Sequence, residues 1–318
     1  SMTTYKGLRG LTIRTVAGDP SVLAAGDIWY DNVAKKIQGA KIAAGAWSTG
    51  GNLNTARSGA GGAGAAPSSG ALIFGGSTNV CETYDGSSWT ELADLSTARN
   101  WASGFGASAT AAVCAGGEPV SVNSETWDNS SWTEGNNLNT GRHVAAGTGP
   151  STAGQIAGGK IGENFQVIVE SYDGTNWSET GDLNTARGLL GHTGVTTAAL
   201  AFGGASPYTA NSESFDGSSW TEGSNLNTAR AYIEASWGVQ TASFAVGGNT
   251  GGGNFVAITE QYDGSSWTEV ADIPTATGGG MGGGGSSSDG IYAGGQVPGA
   301  VNETYEWSQA LAAVTFTS

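Results

Sequence analysis

Two histidines, two cysteines and a set of Arg, Glu and Asp residues at near-equal intervals are the groups in this 318-residue chain that could do chemistry. His143 and His192 lie 49 residues apart, and neither sits in an HxxxH or HExxH spacing, so they offer no zinc or hydrolase motif. Cys81 and Cys114 are isolated thiols, too few for a disulfide framework or a zinc site, and are expected to be free. Gly278 to Gly285 is glycine-rich but lacks the Lys-Ser/Thr of a phosphate-binding loop. Arg57, Arg99, Arg142, Arg187 and Arg230 recur once per interval, with Thr277 at the sixth position. A ring of guanidinia could grip a carboxylate or a sugar acid. The expected reading is scaffold, because Glu82, Glu125, Glu170, Glu213, Glu260 and Glu303 recur with them; Arg–Glu pairs that fix geometry are expected. Asp85, Asp128, Asp173, Asp216 and Asp263 could meet Ca²⁺, which needs six or more oxygens. One Asp followed by Gly-Ser-Ser supplies too few. An Asp accepting bonds from turn N–H groups explains the position without a metal. No catalytic residue, metal site or cofactor is expected, and the chain reads as a non-enzyme.

What must position these groups is a repeat. Six copies of Glu-x-aromatic-acid run through the chain, at Glu82–Asp85, Glu125–Asp128, Glu170–Asp173, Glu213–Asp216, Glu260–Asp263 and Glu303–Glu306. In five of them a Trp follows the aromatic after five residues: Trp89, Trp132, Trp177, Trp220 and Trp267. Counting from Trp47, the spacings are 42, 43, 45, 43 and 47. A period in this range marks an array of supersecondary units, none able to bury its apolar face alone. Residues 53–92 show one unit. LNTAR leads into a Gly/Ala-rich inner strand. A turn at Pro67-Ser68-Ser69-Gly70 leads to the apolar second strand Ala71–Gly76. Glu82–Asp85 is the third strand, and a tight Asp-Gly turn leads to the outer strand at Trp89. Small residues suit inner strands that converge, and Trp and Tyr suit the wide gaps between radial sheets. The predicted class is all-β: a β-propeller of four-stranded antiparallel blades.

Double glycines close the second strand at Gly75-Gly76, Gly116-Gly117, Gly158-Gly159, Gly203-Gly204, Gly247-Gly248 and Gly294-Gly295. Together with the aromatic on the third strand, the Trp on the outer strand and the Arg opening the next unit, this resembles the kelch repeat over residues 47 to about 306. The near-identical wording of the units, YDGSSWTE with LNTAR, resembles kelch-like repeats of marine phage tail-fibre and virion proteins. Gly26-Asp27-Ile28-Trp29-Tyr30-Asp31 is similar to a short module of phage tail proteins. The resemblance implies a non-catalytic binding or structural propeller on a virion or in the extracellular space. Its partners would be a host-surface glycan or protein, and other virion proteins. Related propellers include sialidases, which use an Arg cluster, and copper oxidases, which use two His, a Tyr and a crosslinked Cys. A carbohydrate-active enzyme of either kind is therefore the alternative, and a purely architectural subunit is the third. The sialidase Asp-box has one more residue between Asp and Gly than this chain has.

Seven blades are expected, with residues 1–46 as a divergent N-terminal blade or closing segment and 47–318 as the repeats. Arg9 to Trp47 spans 38 residues, against 32 to 37 for the other Arg-to-Trp intervals. Ala312 to Thr317 alternates enough to be the last blade's outer strand. The alternative is six blades, with Trp47 in a lone outer strand pairing with the strand of Tyr305. A net charge of −15 argues against nucleic acid or anionic lipid as a partner. No apolar run long enough to span a bilayer and no signal peptide is visible. The turns before each Trp are nearly uniform. The loops between second and third strands vary, as do the residues just after each Arg, and both are expected on one face. That face is the candidate recognition surface, with Asn100, Trp101, His143, Phe165, Tyr208, Tyr232 and Phe255 as ligand-binding candidates.

Overall fold

A computed structural model describes residues 13–21, 24, 26–64, 70–205, 207–286 and 288–316. The expected turn at Pro67–Ser69 and the segment around Arg9 lie outside the described residues. The chain is all-β, and no helix among the described residues is long and apolar enough to cross a membrane. It divides into two compact units, Ser1–Gly45 with Gln309–Ser318, and Ala46–Ser308.

The first unit is one sheet of β1 (Arg14–Val16), β2 (Ile28–Asp31), β3 (Lys36–Ile42) and the C-terminal strand Leu311–Thr315. β1 and β2 are parallel, and the other pairs are antiparallel. Trp29 is buried, and Asp31 accepts backbone N–H bonds from Gly18, Val33 and Ala34. The expectation for the tail is thus corrected: Leu311–Thr315 pairs with β3, not with the last repeat.

The second unit opens with β4 (Ala46–Thr49) and contains six four-stranded sheets among the described residues. The first is β5 (Ala60–Ala63), β6 (Ala71–Gly75), β7 (Cys81–Tyr84) and β8 (Trp89–Glu91). The second is β9 (Ser103–Ser108), β10 (Ala111–Ala115), β11 (Ser124–Trp127) and β12 (Trp132–Glu134). The third is β13 (Ala146–Thr148), β14 (Gly154–Ala157), β17 (Val169–Tyr172) and β18 (Trp177–Glu179), with a small hairpin of β15 (Lys160–Ile161) and β16 (Asn164–Phe165) between. The fourth is β19 (Gly191–Val195), β20 (Ala198–Phe202), β21 (Ser212–Phe215) and β22 (Trp220–Glu222). The fifth is β23 (Ser236–Val239), β24 (Ala242–Val246), β25 (Thr259–Tyr262) and β26 (Trp267–Glu269). The sixth is β27 (Met281–Ser286), β28 (Asp289–Ala293) and β31 (Thr304–Ser308), completed by β4, with β29 (Gln296–Val297) and β30 (Gly299–Ala300) as a side hairpin. The tail strand is β32.

Two cycles of hydrogen bonds link the six sheets. In each glycine pair the second N–H donates to the carbonyl of the next unit's Arg: Gly76 to Arg99, Gly117 to Arg142, Gly159 to Arg187 and Gly204 to Arg230. Gly248 donates to Thr277, and Gly295 returns to Arg57 of the first unit. All twelve of these glycines have positive φ, and a side chain on the first of a pair would collide with the same carbonyl it faces, as at Gly294, where a Cβ would lie 2.7 Å from Arg57 O. The double glycine is therefore a latch between sheets. The second cycle runs through Gly59, Gly279, Tyr232, Leu189, Val144 and Trp101, each N–H donating to the carbonyl of the one named next and Trp101 donating to Gly59. All six residues are left-handed, with φ between 50° and 68°. The arrangement is propeller-like.

The expected count of seven blades is not confirmed. β4 pairs with β31, Trp47 opposite Trp307 and Thr49 opposite Tyr305, so the N-terminal side of the repeats completes the sixth sheet. The seventh four-stranded sheet belongs to the other unit and has a parallel pair. The core lies between sheets. Leu72 and Phe74 of β6 face the second sheet's Ala112, Cys114 and Trp127. Ala71 and Ile73 of the same strand face Met281, Ile291 and Ala293 of the sixth. A strand buried on both faces must be apolar throughout, which is why the second strands read as unbroken hydrophobic runs. Each such Leu, Ile or Phe contributes about 1.5–3 kcal/mol on burial.

Candidate functional site

The repeated charges turn inward on themselves. Arg57, Arg99, Arg142, Arg187 and Arg230 pair with Glu82, Glu125, Glu170, Glu213 and Glu260 of their own sheets, as expected, and all ten side chains are buried. The Arg99–Glu125 contact is 2.7 Å. Each carboxylate also anchors the strand-connecting loop: Asn184 donates to Glu213 through its backbone (2.6 Å) and its side chain (2.9 Å). Guanidinia held this way are not free to grip a ligand carboxylate. At the sixth position Thr277 donates to Gln296 O instead, and Oε2 of Glu303 is buried with no partner.

The five repeated Asp residues serve turns. Asp85 Oδ1 accepts from Ser87 N and Ser88 N, both at 2.8 Å. These bonds hold Asp85, Asp216 and Asp263 down to a pKa of about 2. Asn129 takes the left-handed position that Gly occupies in the other four turns. Cys81 and Cys114 are free and buried, and burial pushes both thiols up to about 12. No group of three or more His, Cys, Asp or Glu side chains suited to a metal ion occurs among the described residues.

The seven candidate ligand residues gather on one rim. The residues after Arg99, Arg142, Arg187 and Arg230 form β-bridges with the loops between second and third strands: Asn100 with Glu118, His143 with Lys160, Gly188 with Ala205, Ala231 with Asn249. Trp101 and Tyr232 meet edge to face with ring centroids 5.6 Å apart, and Tyr232 and Phe255 at 6.3 Å. With Phe165 they pack on Val144, Leu189, Ala205 and Ala231. Tyr208 reaches over toward Gly251 and is the exposed member of the set, at 37 %. Nδ1 of His143 lies 3.9 Å from Glu118, and burial lowers its pKa. Asn100 Oδ1 is buried without a partner. Trp101 and Tyr232 thus do two things: they present aromatic surface, and they stand in the left-handed cycle that closes the inner end of the rim.

Beneath that cycle lies a central cavity of about 340 Å³, lined by the inner strands and mostly by Gly and Ala. Two ionisable residues, Glu234 and His192, stand among those around it. Both carboxylate oxygens of Glu234 are buried and unpartnered, and burial pushes this group up to about 8. His192 is 2 % exposed; its Nδ1 lies 3.1 Å from Ala146 O, its Nε2 has no partner, and burial draws its pKa down to about 4. Neither residue was singled out as a site residue from the sequence. The signal was present in the register of the repeat. Four residues after the repeated Arg stand Gly61, Ser103, Ala146, Gly191 and then Glu234; five after it stand Gly62, Gly104, Gly147, His192 and Ala235. No protein-family model matches the chain, and no curated protein matches it either.

Proposed function

We propose that Ala46–Ser308 is a kelch-type propeller of six blades that acts as a non-catalytic binding module, its variable rim contacting a host-surface glycan as part of a virion or tail fibre. One observation carries this reading. The positions at which the repeats differ from one another converge on one rim, and they bring Trp101, Tyr232, Phe255, Phe165 and Tyr208 there with Asn100 and His143. Aromatic faces with amide and imidazole groups beside them suit the apolar faces and hydroxyls of sugars. The opposite turns, uniform and occupied with their own Asp bonds, offer no such asymmetry. The resemblance of the repeats to phage virion proteins supports the setting.

The test is a glycan array and a host-cell binding assay with Tyr208→Ala and Phe255→Ala, singly and together. These two residues lie outside the left-handed cycle, so the variants should melt close to the parent. Binding of the parent that disappears in the double variant supports the rim; binding that is unchanged in it removes the rim from consideration.

A further inference from the structure

One outer strand edge in this protein is unlike the others. β8, β12, β18, β22 and β26 are three residues long, and each ends on an exposed Glu: Glu91, Glu134, Glu179, Glu222 and Glu269. β4 is polar at Ser48 and Thr49, and β1, at one edge of the first unit's sheet, carries Arg14. Short, charged or polar edges discourage a second chain from pairing. β32 forms the other edge of that sheet and has no such guard. It reads Leu-Ala-Ala-Val-Thr, without charge, proline or bulge. It pairs with β3, and no backbone group among the described residues bonds its outer side. The register identifies the open groups. Ala43 N–H donates to Ala310 O, and Phe316 N–H donates to Ile37 O. Ala312 and Val314 lie between, opposite Lys41 and Gly39, so these alternate residues address β3. The N–H and C=O of Leu311, Ala313 and Thr315 therefore point away from the sheet.

We propose that β32 pairs antiparallel with β32 of a second copy of this chain, about a two-fold axis at Ala313. A two-fold interface requires a surface that complements itself. This strand meets the requirement, because its open groups coincide with themselves when it is turned end for end. Ala313 faces the partner's Ala313, Leu311 faces the partner's Thr315, and Thr315 faces the partner's Leu311. Each facing pair exchanges two N–H···O=C bonds. No charged side chain lies in the seam. Val314 then stands directly opposite the partner's Ala312, in the closer spacing between bonded pairs. These side chains share the face on which Ile28, Ile37 and Phe316 are exposed. Pairing extends that apolar face across both copies. The interface is independent of the rim.

The experiment follows the full chain by sedimentation velocity and light scattering from low to high micromolar concentration, with amide-resolved hydrogen exchange. The expected species at high concentration has twice the mass of the chain. The amides of Leu311, Ala313 and Thr315 should exchange roughly tenfold more slowly there than at low concentration. Those of Ala312 and Val314, already bonded to β3, should change less. Ala313→Pro and Thr315→Pro each remove an outward N–H and no bond to β3, so both variants should fold and stay monomeric. Ile37→Ser, on the apolar face, should still pair. A monomer at every concentration would overturn the proposal, as would a dimer that Ala313→Pro leaves intact or that Ile37→Ser abolishes. Protection of the Ala313 amide that does not depend on concentration would overturn it too, since another segment would then hold the edge. Should the proline variants fail to fold, the Ala313 amide against the Val314 amide in the parent protein decides the matter.

Discussion

Removing one carboxylate from a buried Arg–Glu pair should cost this protein a large part of its stability. Glu213→Ala is the cleanest case. Arg187 is 1 % exposed; its Nη1 would keep Gly203 O at 3.2 Å and Asn211 O at 2.8 Å, but the guanidinium would have no counter-charge. Breaking a buried pair from one side typically costs about 3–5 kcal/mol. Asn184 would lose its acceptor for two N–H groups, adding roughly 1 kcal/mol. The sum, about 4–6 kcal/mol, is a third or more of the total stability of an ordinary domain. The assay is guanidinium chloride unfolding followed by tryptophan fluorescence, since Trp220 stacks on Phe215 two residues beyond Glu213 in the same strand. Two companions isolate the cause. Arg187→Met with Glu213→Leu removes both charges and should recover most of the loss. Glu303→Gln should change stability by no more than about 1 kcal/mol, because the sixth unit has Thr277 where the others have Arg. A Glu213→Ala variant within about 1 kcal/mol of the parent, or a double variant as unstable as the single, would refute the reasoning.

Three other outcomes are expected. Gly294→Ala, with φ of +68° and a Cβ that would lie 2.7 Å from Arg57 O, should cost about 3 kcal/mol or more in chemical unfolding, whereas Gly162→Ala, with φ of +55° and nothing within 4 Å, should cost about 1 kcal/mol. The turn carboxylates have depressed pKa values in the fold, so their contribution is complete above pH 4 and is lost as pH falls toward about 2; the melting-temperature gap between the parent and a triple Asp85→Asn, Asp216→Asn, Asp263→Asn variant should be open at pH 7 and closed at pH 2. Glu234 behaves oppositely: its raised pKa means the unfolded chain releases a proton that the fold retains, so the parent should lose up to about 5 kcal/mol relative to Glu234→Gln between pH 4.5 and pH 8, read from urea midpoints across that interval.

The sheets were legible in the sequence because each strand type has its own physical demand. Small residues mark the converging inner strands, unbroken apolar runs the doubly covered second strands, and Tyr with Trp the wide outer gaps. The Arg–Glu pairs and the Asp turns were legible for the same reason, since a group needed in every unit is repeated in every unit. The number of sheets in the repeat unit was not. It depends on which strand pairs with β31, and β4 and the tail strand had comparable patterns. Pairing is decided by long-range register, Trp47 against Trp307 and Tyr305 against Thr49, which a local pattern does not encode. The rim was legible as variation between units. Its double duty was not, because the left-handed backbone of Trp101, Val144, Leu189 and Tyr232 falls on bulky residues that give no turn signal of their own.

That strain has a functional consequence. Bulky residues at φ near +55° are uncommon, and each costs of order 1 kcal/mol or more unless its surroundings enforce it. Here the enforcement is the cycle itself: each N–H is spent on the carbonyl of the neighbouring unit, so no member can relax without opening two sheet junctions. The first and sixth units meet the same demand with Gly59 and Gly279, at no steric cost, and Trp101 lies over both of them. A Trp there would be displaced if either glycine carried a side chain. The cycle thereby converts a backbone requirement into a fixed aromatic surface, rim on one side and cavity on the other. An array of near-identical units can acquire a site only where one unit departs from the rest, and the departures sit at this level, with Trp101 and Tyr232 in the cycle.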